Sequence, residues 1–164
     1  MLRRALLILA TMSLGVLLLS GVALAANIQG TFGADTLTGT FLKDRIYGLG
    51  GRDEISALAG PDDVYGGSGQ DSLNGQRGND RIDAGNGLDF ADGGEGNDRI
   101  EAADFSFGTD FVFGRNGNDR ISVADGILDE VDCGDGDDTV YADASDELQN
   151  CENIFRTGSG PGLP

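Results

Sequence analysis

Gly66-Gly-Ser-Gly-Gln-Asp-Ser-Leu-Asn74 runs directly into Gly75-Gln-Arg-Gly-Asn-Asp-Arg-Ile-Asp83, and the two nine-residue segments share one pattern. Glycine stands first and fourth, aspartate sixth and an aliphatic residue eighth. The same phase recovers Gly48-Leu-Gly-Gly-Arg-Asp-Glu-Ile-Ser56 upstream and Gly93-Gly-Glu-Gly-Asn-Asp-Arg-Ile-Glu101 downstream. A fixed period of this kind marks a solenoid, in which each repeat covers the apolar face of its neighbour.

Extended in both directions, the phase places aspartate sixth in twelve units: Asp35, Asp44, Asp53, Asp62, Asp71, Asp80, Asp89, Asp98, Asp110, Asp119, Asp129 and Asp138. Three extra residues follow Glu101 and one follows Ser122; elsewhere the spacing is nine. Two residues after each aspartate comes Leu37, Ile46, Ile55, Val64, Leu73, Ile82, Ala91, Ile100, Val112, Ile121, Val131 or Val140, of which only Ala91 is small. Glycine stands two residues before the aspartate in ten of the twelve units, with Leu42 and Ile127 as exceptions. Positions seven to nine read as a very short strand, because side chains alternate along extended chain: the aliphatic residue points inward, and Thr36, Arg45, Glu54, Arg81 and Arg99 point to solvent. Positions one to six read as a turn in which glycine permits positive φ and close approach of carbonyl groups.

Composition sets the energetic problem. With 28 glycines in 164 residues, no Trp or His, and 28 acidic against 11 basic residues, the chain has too little apolar material to offset the entropy of ordering by burial alone. Its formal charge of −17 argues against nucleic acid and anionic membrane as partners, which demand clustered Lys and Arg, and favours a cation. Arg3 and Arg4, the apolar run Ala5 to Leu19, and Ala23-Leu24-Ala25 are the three parts of a secretory leader, so residues 1–25 read as a signal peptide removed on export. The run is shorter than the ~20 residues of a spanning helix. Loss of the two leader arginines takes the mature charge to −19. In an oxidising compartment the only two cysteines, Cys133 and Cys151, read as one disulfide.

The pattern resembles the RTX, or haemolysin-type, calcium-binding nonapeptide repeats, over Gly30 to about Tyr141. The resemblance implies an all-β fold, a right-handed parallel β-roll with two units per coil, and several Ca²⁺ ions between turns two units apart. Calcium takes six to eight hard oxygens from carboxylates and backbone carbonyls, and such a turn supplies both. The ligand carboxylates so implied are Asp35, Asp44, Asp53, Asp62, Asp71, Asp80, Asp89, Asp98, Asp110, Asp119 and Asp138. Asp53 stacks on Asp71 and Asp71 on Asp89 along one edge, Asp62 on Asp80 and Asp80 on Asp98 along the other. Ala57 and Ala84, which replace first-position glycines, are expected to weaken their sites.

The domain reading is a leader over 1–25, a repeat roll over 26–141, a C-terminal cap over 142–155 stapled by the disulfide, and a disordered tail over 156–164. The functional expectation is a secreted, extracellular calcium-binding module without catalysis. A surface-adhesion module is one alternative, through Phe90, Phe105, Phe107, Phe111 and Phe113, which otherwise plug a distorted coil beside Ala91. An ice-binding module is another, although the column begun by Thr31 and Thr40 is broken by Leu49, Leu58, Gly67 and Gln76. A carboxylate hydrolase is the third, but the repeat itself uses the aspartates and there is no His.

Overall fold

The computed structural model describes residues 24–103 and 108–157. Most of the expected leader, Phe105, Phe107 and the tail from residue 158 lie outside the described residues. The strands are β1 (Asn27–Gln29), β2 (Thr36–Thr38), β3 (Arg45–Gly51), β4 (Glu54–Ser56), β5 (Asp63–Gly69), β6 (Ser72–Arg77) and β7 (Arg81–Gly87). They continue as β8 (Phe90–Glu95), β9 (Arg99–Glu101), β10 (Phe111–Asn116), β11 (Arg120–Ser122), β12 (Glu130–Asp135), β13 (Thr139–Ala142), β14 (Glu147–Gln149) and β15 (Asn153–Arg156).

Odd-numbered strands form one parallel sheet and even-numbered strands a second, so the chain changes sheet at every unit and completes a coil of about seven every two units. Register follows the repeat: Val64 lies opposite Ile46 and Ile82, and Leu73 opposite Ile55 and Ala91. The three-residue insertion after Glu101 leaves register intact, with Val112 opposite Ala91. Ladder bonds also span the turns, as where the Ser72 N–H donates to the Asp53 carbonyl at 2.8 Å.

The core is a double file of the eighth-position aliphatics, fully buried from Ile46 to Val140. A second file was not foreseen. The residue that follows position nine also points inward, whether it is position one of the next unit, as at Ala57, Ala84 and Cys133, or an inserted residue, as at Ala102 and Val123, and all five belong to the core. Ala57 and Ala84 thus add apolar contact where the repeat usually has glycine. Alternation carries on past position nine: β7 runs seven residues, not three, and includes Ala84, while after the three-residue β4 the Ala57 N–H still donates to the Asn74 carbonyl at 2.9 Å.

Ala142 to Phe155, expected as a cap, adds one further coil: β14 pairs with β12 and β15 with β13, both parallel. Cys133 and Cys151 are joined as expected, with Cα atoms 5.2 Å apart, and tie the last coil to the one before it. The described phenylalanines do not plug the interior: Phe90, Phe111 and Phe113 lie on the outer face of the second sheet. There the Phe90 and Phe113 rings meet at 5.1 Å, the Arg115 guanidinium lies over Phe113 at 4.5 Å, and Arg115 pairs with Asp92 at 2.8 Å.

Fourth-position glycine is a steric requirement. Gly51 has φ +112°, and a Cβ there would stand 2.5 Å from the Gly33 carbonyl carbon and 2.8 Å from the Ala34 nitrogen. Gly51→Ala is therefore expected to cost about 2 to 4 kcal/mol in denaturant unfolding of the roll, whereas Ser68→Ala, at an exposed position in β5, stays within about 0.5 kcal/mol. Reduction of the disulfide, which closes a loop of 18 residues, is expected to cost about 2 to 4 kcal/mol and to raise amide exchange first in β14 and β15.

Candidate metal centre

Each sixth-position aspartate ends a turn and begins a strand, so the stacking of coils stacks the carboxylates. On the edge leading into the even strands the order is Asp35, Asp53, Asp71, Asp89, Asp110 and Asp129; on the edge leading into the odd strands it is Asp44, Asp62, Asp80, Asp98, Asp119 and Asp138. Within each column the backbone N–H of one aspartate donates to Oδ1 of the aspartate one coil on. The distances are 2.9 Å from Asp53 to Asp71, 2.8 Å from Asp71 to Asp89, 2.8 Å from Asp62 to Asp80 and 2.8 Å from Asp80 to Asp98. The stacking that the family resemblance implied is thus present, with ladder hydrogen bonds joining successive aspartates.

Both columns continue beyond the repeats. The Asp129 N–H donates to Asp146 Oδ1 at 3.2 Å, and the Asp138 N–H to Glu152 Oε2 at 3.0 Å. The period of nine missed these two because the last coil is shortened and has lost its glycines. A fainter signal was present: Asp146 is followed two residues on by Leu148, and Glu152 by Ile154, which preserves the acid-x-aliphatic core of the unit.

The carboxylates from Asp44 to Asp138 are buried, while Asp35, in the first coil, is half-buried. Oδ1 is satisfied by the ladder, but Oδ2 of Asp53, Asp62, Asp71, Asp80, Asp98, Asp119, Asp129 and Asp138 is buried without a hydrogen-bond partner. Buried carboxylate oxygen without compensation costs free energy, so a column of them marks a place for positive charge. First-position glycine shows what Oδ2 faces. A Cβ on Gly75 would lie 2.5 Å from Asp80 Oδ2 and 2.6 Å from the Gly93 carbonyl oxygen of the next coil; one on Gly30 would lie 2.8 Å from Asp35 Oδ2 and 2.7 Å from the Gly48 oxygen. Carboxylate and carbonyl oxygens converge there with no side chain between them.

That donor set fits a hard divalent cation, which prefers oxygen ligands and tolerates irregular geometry. Among the described residues no three acidic, His or Cys side chains close on one point, so most ligands would be backbone carbonyls. Burial, opposed by the ladder bond from the preceding coil, pushes the Asp80, Asp119 and Asp129 carboxyls up to about 7, and those of Asp62 and Asp98 up to about 6. Stacked carboxylates add to the rise by repulsion, as Asp98 and Asp62 do at Asp80.

A parallel roll whose turns stack buried carboxylates against carbonyl oxygens defines a repeat protein of the cation-binding class. The chain belongs to the RTX calcium-binding nonapeptide repeat family, whose model matches residues 21–41, 29–64, 38–73, 65–100, 106–127 and 129–147. Comparison with curated proteins gives no match.

Without metal, raised carboxyl pKa values reverse the usual acid response. Folded Asp80, Asp119 and Asp129 hold their protons to about pH 7, whereas unfolded aspartate releases them near 3.8. The folded state therefore binds more protons between these limits, and stability falls as pH rises through the window. Metal-free protein is expected to be most folded near pH 4 and to lose its sheet signal in circular dichroism by pH 7 to 8; a metal-free signal that grows with pH would contradict this.

Proposed function

We propose that the chain is an exported calcium-binding roll whose folding is coupled to the ion, and that it serves as a structural or interaction module without catalysis. The observation that carries this reading is the file of buried Oδ2 atoms that face carbonyl oxygens and find no donor. The ligands are Asp35, Asp44, Asp53, Asp62, Asp71, Asp80, Asp89, Asp98, Asp110, Asp119 and Asp138, with carbonyls of the glycine turns, and the central run from Asp53 to Asp98 forms the best sites. Asp129, Asp146 and Glu152 extend the same columns.

Export is supported by the basic start, apolar run and small-residue site of residues 1–25. No helix among the described residues is long and apolar enough to cross a membrane. Export also supplies the ion, because calcium is scarce inside cells and abundant outside. Each site contributes about 2.7 kcal/mol when free calcium exceeds its dissociation constant a hundredfold, and several such sites rival the ~5 to 15 kcal/mol that holds an ordinary domain together. The non-catalytic reading rests on the engagement of the repeat carboxylates in ladder bonds, which leaves them poor acids or bases for a substrate.

Mature protein titrated with calcium at pH 7.5 is expected to gain sheet structure cooperatively, to lose it on chelation, and to respond weakly to magnesium, which demands stricter octahedral geometry. Asp80→Asn keeps the shape and removes the charge. It is expected to raise the calcium midpoint roughly tenfold, equivalent to about 1.4 kcal/mol, while making the metal-free roll more stable. A roll that is compact at neutral pH in chelator and takes up no calcium at millimolar concentration contradicts the proposal.

A further inference from the structure

We propose that the roll associates head to tail, the last coil of one copy stacking on the first coil of a second to continue both sheets and one aspartate column across the junction. In the middle of the roll the aliphatic file is sealed, with Ile82 and Ile100 fully buried, but at the C-terminal end Ile154 is 46% exposed and Phe155 54%. The terminal strands β14 and β15 are ordinary members of their sheets, each paired on one side only among the described residues, as are β1 and β2 at the other end. An open strand edge over apolar side chains is a template for another strand.

The ends match in sheet, in register and in chemistry. With β15 laid on β1 and β14 on β2 in the register used throughout the roll, Ile154 meets Ile28 and Leu148 meets Leu37, both of which are only partly buried within one copy. Asn153 then falls opposite Asn27, Glu147 opposite Thr36, Gln149 opposite Thr38 and Phe155 opposite Gln29. Among these strand pairs no like charges oppose each other, although charge-on-charge contacts would be expected from a chain this acidic; the one carboxylate pair at the junction, Asp146 on Asp35, repeats the stacking found inside the roll. The ladder itself is left open to match: Asp146 leads into β14 as Asp35 leads into β2, so the Asp146 N–H takes up Asp35 Oδ1 of the second copy as the Asp53 N–H takes up Asp71 Oδ1. The disulfide holds the terminal coil in place as a firm docking surface. Because the two surfaces differ, the contact does not close on itself and repeats as a filament.

The test is sedimentation of the exported protein in calcium over a wide concentration range, with sheet content followed by circular dichroism on the same samples. The parent is expected to grow in mean mass with concentration. Ile154→Lys, which puts a charge on the end face at an exposed position, is expected to stay monomeric with an unchanged calcium titration, and Gln70→Lys, the same charge added on the flank, to assemble as the parent does. Calcium-induced sheet structure in a parent that remains monomeric at its solubility limit overturns the inference and leaves the calcium reading intact. So does equal assembly by Ile154→Lys.

Discussion

Buried like charge is the constraint around which this molecule is organised. Two columns of aspartate run the length of the roll, each carboxylate one coil from the next, sequestered from water and bonded through one oxygen to a backbone N–H. The ladder bond settles where each carboxylate sits; it does not settle its charge. The second oxygen faces carbonyl oxygens, so negative charge on the column is costly there; protons relieve it in acid, and in the function proposed above a cation does so at neutral pH. The same geometry thus explains raised carboxyl pKa values, a family built around calcium and the glycines that leave room between coils.

The rest of the architecture is thin by comparison. Two files of one aliphatic residue per unit, thickened by Ala57, Ala84, Ala102 and Val123, make a narrow core. On the outer faces small devices link neighbouring coils: Tyr47 stacks on Tyr65 at 4.9 Å, Arg81 pairs with Glu101 at 3.0 Å, and the Gln76 amide donates to Ser56 at 2.6 Å. Exposed pairs of this kind contribute little individually. They fix register between coils more than they add stability. Gln76 and Arg115, at position two, also take up left-handed φ, and each uses its side chain to reach the preceding coil.

How much of this was legible depended on whether the period held. From Asp35 to Asp98 the spacing of nine showed the short strands and the inward file, because every unit meets the same steric demand, while two units per coil and both aspartate columns came from the family resemblance. Burial just past position nine was hidden: the inward-outward alternation and the ladder bonds go on beyond the three strand positions, so Ala57 and Ala84 looked like defects when they are core. The last coil was hidden for a different reason. Its residues keep the acid-x-aliphatic triplet of Asp146 to Leu148 and Glu152 to Ile154 but drop the glycines, and a pattern anchored on glycine ends at Tyr141. Orphaned Oδ2 atoms, finally, are a product of three-dimensional convergence that no spacing displays.

Amide hydrogen exchange resolved along the chain tests most directly whether a cation in the turns supplies the cohesion. At neutral pH in calcium, the amides of Val64, Leu73, Ile82 and Ile100 should be strongly protected and should open together; after chelation their protection should vanish. Protection of these four amides to the same degree in chelator would mean that the thin apolar interior suffices alone, and would contradict the account.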